Sequence, residues 1–262
     1  MSFQPIVPFG GYTGWLFMQR TLDKQQEAFD DSLLITRATD YFRENIGDID
    51  SAEELIDDRR LREVALGAFG LDEDIDSNFF IKTILEEGTL DDEALANRLA
   101  DPRYAKLADA FGFDLGIPLT KSETIVEDII ARYEDRQFER AVGNVNNDIR
   151  LALNLSVAVD DVTSTVEAND SRWFAVLGNA PLRQVVQTAF GLPTAIAAID
   201  LDQQLETFKE RSESVLGTSD VGALTDPELQ EKLIRLFLIR SEAANQATSF
   251  SSGSVALTLL QS

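Results

Sequence analysis

The sequence predicts an all-α fold, an irregular multi-helix bundle of about ten helices. Apolar residues recur at three- and four-residue spacings, helix-start signals precede those runs, and one capped-helix motif recurs along the chain. The chain has 262 residues, of which 44% are hydrophobic and 26% charged, enough to bury a core without disulfides or metals. It reads as a single helical domain over 1–262, with a soft boundary near 144–147.

Residues Met1 to Gln19 carry no formal side-chain charge. Pro5, Pro8, Gly10, Gly11 and Gly14 predict an extended apolar arm over 1–13, and Thr13 is placed to cap a helix from Gly14 to Phe29. Ser32 precedes Leu33, Leu34, Ile35, Ala38, Tyr41, Phe42 and Ile46, one helix face, with Gly47 as its stop. Ser51-Ala-Glu-Glu54 and Thr120-Lys-Ser-Glu123 both read as capping boxes. The second opens a helix with Ile125, Val126, Ile129, Ile130 and Tyr133 on one stripe. Between them, Asp76 and Ser77 start a helix that Gly88 stops, and Thr89 to Leu99 forms a short one.

The recurrent motif runs from Asp58-Arg-Arg-Leu61 to Ala68-Phe-Gly-Leu71. It returns from Asp101-Pro-Arg-Tyr104 to Ala110-Phe-Gly-Phe113, and from Asn179-Ala-Pro-Leu182 to Ala189-Phe-Gly-Leu192. Asp226-Pro-Glu-Leu229 leads to Leu236-Phe237 without the glycine. Each start supplies a side-chain oxygen for free N–H groups, and each glycine allows a left-handed stop. The intervals are too uneven for a solenoid, so these are core helices built on one capping solution.

Two segments leave alternatives open. From Ile149 to Val159 apolar residues alternate strictly, the period of a strand, and Ser254 to Leu260 alternates weakly enough to pair with it. A lone strand leaves its backbone groups unpaired, which favours a long buried helix with minor β pairing as the alternative. Residues 248–262 read as a flexible tail, with Ser251-Ser-Gly-Ser254 as linker and an apolar tip.

The chemistry is bounded by what is missing. There is no histidine and no cysteine. That removes serine–histidine and cysteine–histidine nucleophiles, thiol redox work and zinc sites built from those ligands. Asp72, Asp74 and Asp76 resemble the start of a calcium loop, but Ser77 and Thr83 stand where glycine and glutamate are needed; Asp48 and Asp50 fail the same way. Gly10, Gly11 and Gly14 are not followed by the Gly-Lys-Ser/Thr of a phosphate loop. No catalytic, metal or cofactor site is expected. Carboxylate pairs capable of acid–base work remain an alternative, at low weight among 46 acidic residues. Asp128 and Arg132 read as a solvated helix pair, Arg59, Arg60 and Arg62 as locally neutralised, and Trp15 and Trp173 as packing anchors.

The formal net charge is −23. Such a surface repels phosphate backbones, so no nucleic acid is expected, and no apolar run is long enough for a membrane span. No basic segment of the kind that opens a secretory signal stands at the start, which points to the cytoplasm or to export without such a signal. Uncharged aromatic and aliphatic residues at both ends point to a protein partner. The partner-docking candidates are Phe3, Ile6, Val7, Phe9, Tyr12, Trp15, Val255, Leu257, Leu259 and Leu260. Packing of the arm back on the core is the competing reading.

Several segments in order resemble a known family. They are Thr39-Asp-Tyr-Phe-Arg-Glu-Asn-Ile-Gly47, Ser51-Ala-Glu-Glu-Leu55, Arg60-Leu-Arg-Glu-Val-Ala-Leu-Gly-Ala-Phe-Gly-Leu71, Ala100-Asp-Pro-Arg-Tyr104 and Ala110-Phe-Gly-Phe113. In the second half they are Arg150-Leu-Ala-Leu153, Leu182-Arg-Gln-Val-Val-Gln-Thr-Ala-Phe-Gly-Leu-Pro193, Asp200-Leu-Asp-Gln-Gln204 and Thr225-Asp-Pro-Glu-Leu229. The chain is thereby identified as a member of domain-of-unknown-function family 1217, over about residues 35 to 243. The resemblance implies a largely helical protein and a helix at Arg150. Because relatives often lie beside flagellar genes, it also implies an accessory role in the flagellum. A cytoplasmic export chaperone or assembly factor is the alternative. The family has no known catalytic residues, so none is implied here.

Overall fold

The computed structural model describes residues 3–99 and 101–260, with side chains for all of these except Thr165 and residues 247–260. Thirteen α-helices and six short 3-10 turns are present, and no β-strand occurs among the described residues. The helices fall into two units. The first comprises Met1–Pro5 and Leu22–Ala141, the second Ile6–Thr21 and Val142–Ser262.

In the first unit lie the later part of α1 (Gly11–Asp30), α2 (Leu33–Asn45), α3 (Ala52–Asp57), α4 (Arg59–Ala68), α5 (Asn78–Glu87), α6 (Leu95–Arg98), α7 (Arg103–Phe111) and most of α8 (Glu123–Val145). Its core includes Ile35, Phe42, Leu55, Leu61, Leu66, Ile81, Ile84, Leu107, Phe111 and Ile129, all nearly inaccessible. Phe29 and Phe138 meet edge to face at 5.6 Å. In the second unit lie the first part of α1, α9 (Asn147–Thr165), α10 (Asn169–Gly178), α11 (Ala180–Phe190), α12 (Leu201–Leu216) and α13 (Pro227–Leu260). α11 packs against α13 and α9 around Val185, Val186, Phe190, Phe237 and Leu238. Trp173 is fully buried beside Phe208, and its indole N–H donates to the Ser219 carbonyl at 2.8 Å.

The recurrent motif folds as its chemistry requires. Asp58 accepts from the N–H groups of Arg60 and Leu61, and Asn179 from that of Leu182. At the other ends, Gly70 and Gly191 take φ of +68°. The next residue's N–H then reaches back to a carbonyl five residues earlier, Leu71 to Leu66 at 2.9 Å and Leu192 to Gln187 at 3.0 Å. Where the glycine is missing, after Phe237, the helix does not stop: α13 continues to Leu260.

A second regularity at these corners is not predicted by the capping pattern. Arg62 donates to the Ile56 carbonyl at 2.5 Å, Arg172 to Val166 at 2.6 Å and Arg183 to Leu177 at 3.5 Å. Each arginine sits four residues after the cap of its own helix and reaches the carbonyl two before that cap. That carbonyl belongs to the end of the preceding helix, whose last carbonyls lack partners and carry partial negative charge. Arg103 and Arg240 do the same for Gly70 and Ala189 from more distant helices. This accounts for part of the excess of arginine over lysine, since a guanidinium can hold two acceptors at once.

The structure corrects several expectations. α1 begins at Gly11 rather than Gly14, so the extended arm is shorter than 1–13. Gly47 lies in a 3-10 turn, Ile46–Asp48, and does not stop α2 by a left-handed turn. The Ser51 box forms, with Glu54 reaching the N–H of Asp50 at 2.8 Å. The Thr120 box does not: Thr120 donates instead to the Ile49 carbonyl at 2.9 Å, and α8 starts at Glu123. The helix expected over Thr89–Leu99 shrinks to Leu95–Arg98 because Asp91 turns the chain, accepting from the N–H of Glu93.

Ile149 to Val159 is helical, as the resemblance implied, and there is no β pairing with Ser254–Leu260, whose backbone is also helical. The buried set is Ile149, Leu151, Ala152, Leu155, Ala158, Val159 and Val162, spaced by three and four. The strand-like alternation arose from Leu153 and Val157 on the outer side, Val157 being 44% exposed. The tail expected to be flexible over 248–262 continues α13 as far as Leu260. An already nucleated helix extends at little cost through serine and glycine, each only some 0.5–1 kcal/mol worse than alanine.

Candidate functional site

The aspartates of the acidic segment after Leu71 are engaged by other side chains. Asp72 accepts from Arg140 and from Gln137 at 3.0 Å, Asp74 from the Tyr104 hydroxyl at 2.8 Å, and Asp76 pairs with Arg59 at 3.2 Å. Among the described residues no group of three or more metal-ligating side chains is brought together. The basic cluster beside it is used in three ways. Arg59 pairs with Glu63 and Asp76, Arg60 stacks 3.5 Å from the Tyr41 ring centre, and Arg62 is buried on backbone and on Asn78. Arg132 and Asp128 pair at 2.8 Å on the exposed face of α8, as their spacing predicts.

One carboxylate group was not anticipated. Burial of Phe29 against Phe138 carries the next residue, Asp30, towards Glu134 and Asp135 of α8. One carboxyl oxygen of Asp30 is buried without a hydrogen-bond partner. Desolvation first, then Glu134, Asp135 and Asp31, push the Asp30 carboxyl up to about 7. Burial raises Glu134 as well, against the lowering influence of Arg43. Arg43 itself is committed to Glu127, with bonds of 2.7 and 3.0 Å. Sequence spacing gives no warning of this cluster, because it joins α1 to a helix a hundred residues later.

In the second unit one side chain gathers the start of α1. Glu231 of α13 accepts from the Tyr12 hydroxyl at 2.8 Å, the Trp15 indole at 3.1 Å and Gln19 at 3.4 Å. The hydrogen bond to Glu231, with burial, raises the Tyr12 phenol above its ordinary range. Trp15 is buried and Tyr12 half-buried, so their polar atoms are engaged within the unit. Phe3, in the first unit, and Val7 are half-buried, whereas Ile6 and Phe9 are each 57% exposed. The side chains of Val255, Leu257, Leu259 and Leu260 lie outside the described residues.

The most exposed apolar side chains were missed by the emphasis on the termini. In the first unit Phe79 is 85% exposed, Ile117 76%, Leu90 75% and Leu34 70%. Leu34 lies on the helix face that the sequence marks after Ser32, and Phe79 near the start of the helix expected between Ser77 and Gly88. Leu90 and Ile117 lie in connections, where a single apolar residue has no period to flag it. In the second unit a shallow depression between α9 and α11 is lined by Leu151, Leu155, Ala158, Leu182 and Val185, and offers no titratable group.

No helix among the described residues is long and apolar enough to cross a membrane. Curated proteins give no match to this sequence. An X-ray structure of an Agrobacterium tumefaciens protein from a structural genomics consortium is similar, at 28% identity and a TM-score of 0.73, covering 92% of this chain and 99% of that one. Residues 68–229 match a family model described as protein of unknown function, DUF1217, and spanning more than half of the chain that match places it in this family.

Proposed function

We propose that this chain is a non-catalytic structural or interaction protein. The observation that carries the reading is the exposed apolar set of the first unit, Leu34, Phe79, Leu90 and Ile117. Side chains of that size left in water on a strongly acidic surface mark places where another protein covers them. The absence of histidine and cysteine from the sequence supports the same reading. An accessory role in the flagellum follows from the family resemblance, with a cytoplasmic export chaperone or assembly factor as the variant in which the chain stays inside the cell.

Size fractionation of the endogenous protein in a native extract tests the interaction reading. A mass well above the 29.0 kDa of one chain, lost in high salt or detergent, is expected. Migration as a free chain under all conditions overturns it. Deletion of the gene with motility as readout, together with fractionation of appendages from cell interior, separates the flagellar and chaperone variants.

A carboxylate-based enzyme is the second reading, and the raised carboxyls of Asp30 and Glu134 are what favour it. An Asp30→Asn chain that retains every activity of the parent in cells removes it.

A further inference from the structure

We propose that the end of the first unit built from residues 88–93 and 113–118 docks a basic amphipathic helix of a protein partner. The inference rests on the interaction reading above and adds the partner's chemistry. α5 stops at Gly88, which takes φ of +64°. The Asp114 carboxyl group occupies the space where a side chain on Gly88 would begin. That approach seats the 3-10 turn Phe113–Leu115 on the end of α5. The Thr89 hydroxyl donates to Asp109 of α7 and ties down the following residues.

Leu90, two residues after Gly88, and Leu115 and Ile117, one and three residues after Asp114, follow that approach along the chain, with 75%, 51% and 76% of their surfaces exposed. The spacing of consecutive Cα atoms limits Leu90 and Leu115 to a separation of at most roughly 17 Å, the length of a three-turn helix. The same spacing limits Ile117, two residues further on, to roughly 25 Å from Leu90, so one helix of about five turns spans all three with its apolar face.

Charge selects among occupants. Residues 86–93 and 109–117 contain Glu86, Glu87, Asp91, Asp92, Glu93, Asp109 and Asp114 and not one base. Nearby bases are already paired: Lys82 with Glu53 and, at the margin of this set, with Glu86, Arg103 with Asp101, Lys121 with Asp50. Arg98 and Lys106 are the other bases between the two segments. A second copy of this chain brings the same excess of carboxylates and is repelled, as is an anionic lipid surface. A helix with lysine or arginine flanking its apolar stripe is attracted.

The test uses the full chain and a labelled helical peptide of leucine and lysine with one apolar face, read by fluorescence anisotropy. A peptide of equal composition with its leucines scattered around the helix is the control. The amphipathic peptide is expected to bind at least about tenfold more tightly than the control. Leu90→Ser/Ile117→Ser, two exposed changes that leave the circular dichroism unchanged, should remove that advantage. Equal binding of both peptides, or an undiminished advantage in the double variant, overturns the proposal. So does self-association of the parent chain in sedimentation that the double variant abolishes, since that makes a second copy the occupant. Failure here beside an intact native complex discards this face alone, whereas the absence of any native complex discards the interaction reading.

Discussion

Arg62 holds the carbonyl of Ile56, six residues behind it, and is 6% exposed, with no carboxylate partner among the described residues. The carbonyl at the end of α3 and the Asn78 side chain at 2.6 Å both accept from one terminal nitrogen of the buried guanidinium, while its Nε is buried without a partner. Removing it leaves those acceptors without donors and opens a gap between α3, α4 and α5. Arg62→Ala should therefore cost about 2–4 kcal/mol in urea unfolding, and Arg62→Lys most of that. Arg183, half-buried and bonded to Leu177 at 3.5 Å, should cost less. Equal, negligible losses at both sites would show that the corner arginines are bystanders.

Asp30 titrates in the opposite sense to a salt-bridged carboxylate. Its folded-state value, about 7, lies above the ordinary unfolded value, so the folded chain holds a proton that the unfolded chain releases. Stability from this group is present at pH 4 and is lost as pH rises towards and through 7. Asp30→Asn should stabilise the protein at pH 8 by about 1–2 kcal/mol, discounting for its partial exposure, and have little effect at pH 4. Thermal unfolding of both chains across that range is the check.

Glu231 gathers three donors from the start of α1. Glu231→Gln should let the Tyr12 phenol fall back towards its ordinary range, because the hydrogen bond to the carboxylate is the largest cause of its rise. The Trp15 emission should change, while that of Trp173, bonded to Ser219, stays fixed. The expected loss of stability is about 1–2 kcal/mol. An unchanged phenol titration would show that the start of α1 is not held there.

Gly191 needs its left-handed backbone, and a Cβ there meets the Arg240 guanidinium at 3.1 Å. Gly191→Ala should cost roughly 1–2 kcal/mol through backbone strain, with the crowding of Arg240 added. A neutral result in denaturant unfolding would mean that α11 ends equally well without the turn.

Helix starts and stops were legible because they are local: Asp58, Asn179, Gly70 and Gly191 each act within one or two turns. Thr120 misled because residues Leu119–Lys121 close a 3-10 turn of their own, with the threonine hydroxyl turned to the distant Ile49 carbonyl, and α8 starts only at Glu123. Ile149 to Val159 alternates like a strand because alanine counts as neutral in that pattern yet is buried at Ala152 and Ala158, while the unpaired backbone of a lone strand favoured the helix that forms. Asn146, which accepts from the N–H of Ile149 at 3.1 Å, was the readable sign of a helix there. The raised carboxyl of Asp30 and the approach of Asp114 to Gly88 were not legible, since both depend on which elements pack together across long stretches of chain. Of the aromatic residues at the start of the chain, Trp15 is buried and Phe3 and Tyr12 are half-buried, while Phe9, with Ile6, stays exposed.

A photo-crosslinking residue at Ile117 in the native cell, compared with one at the exposed Asp160, tests the central claim most directly. A discrete adduct at 117, joined to a basic and apolar helical segment of another protein and missing at 160, is predicted. No adduct at 117, or the same adducts at both positions, would contradict it.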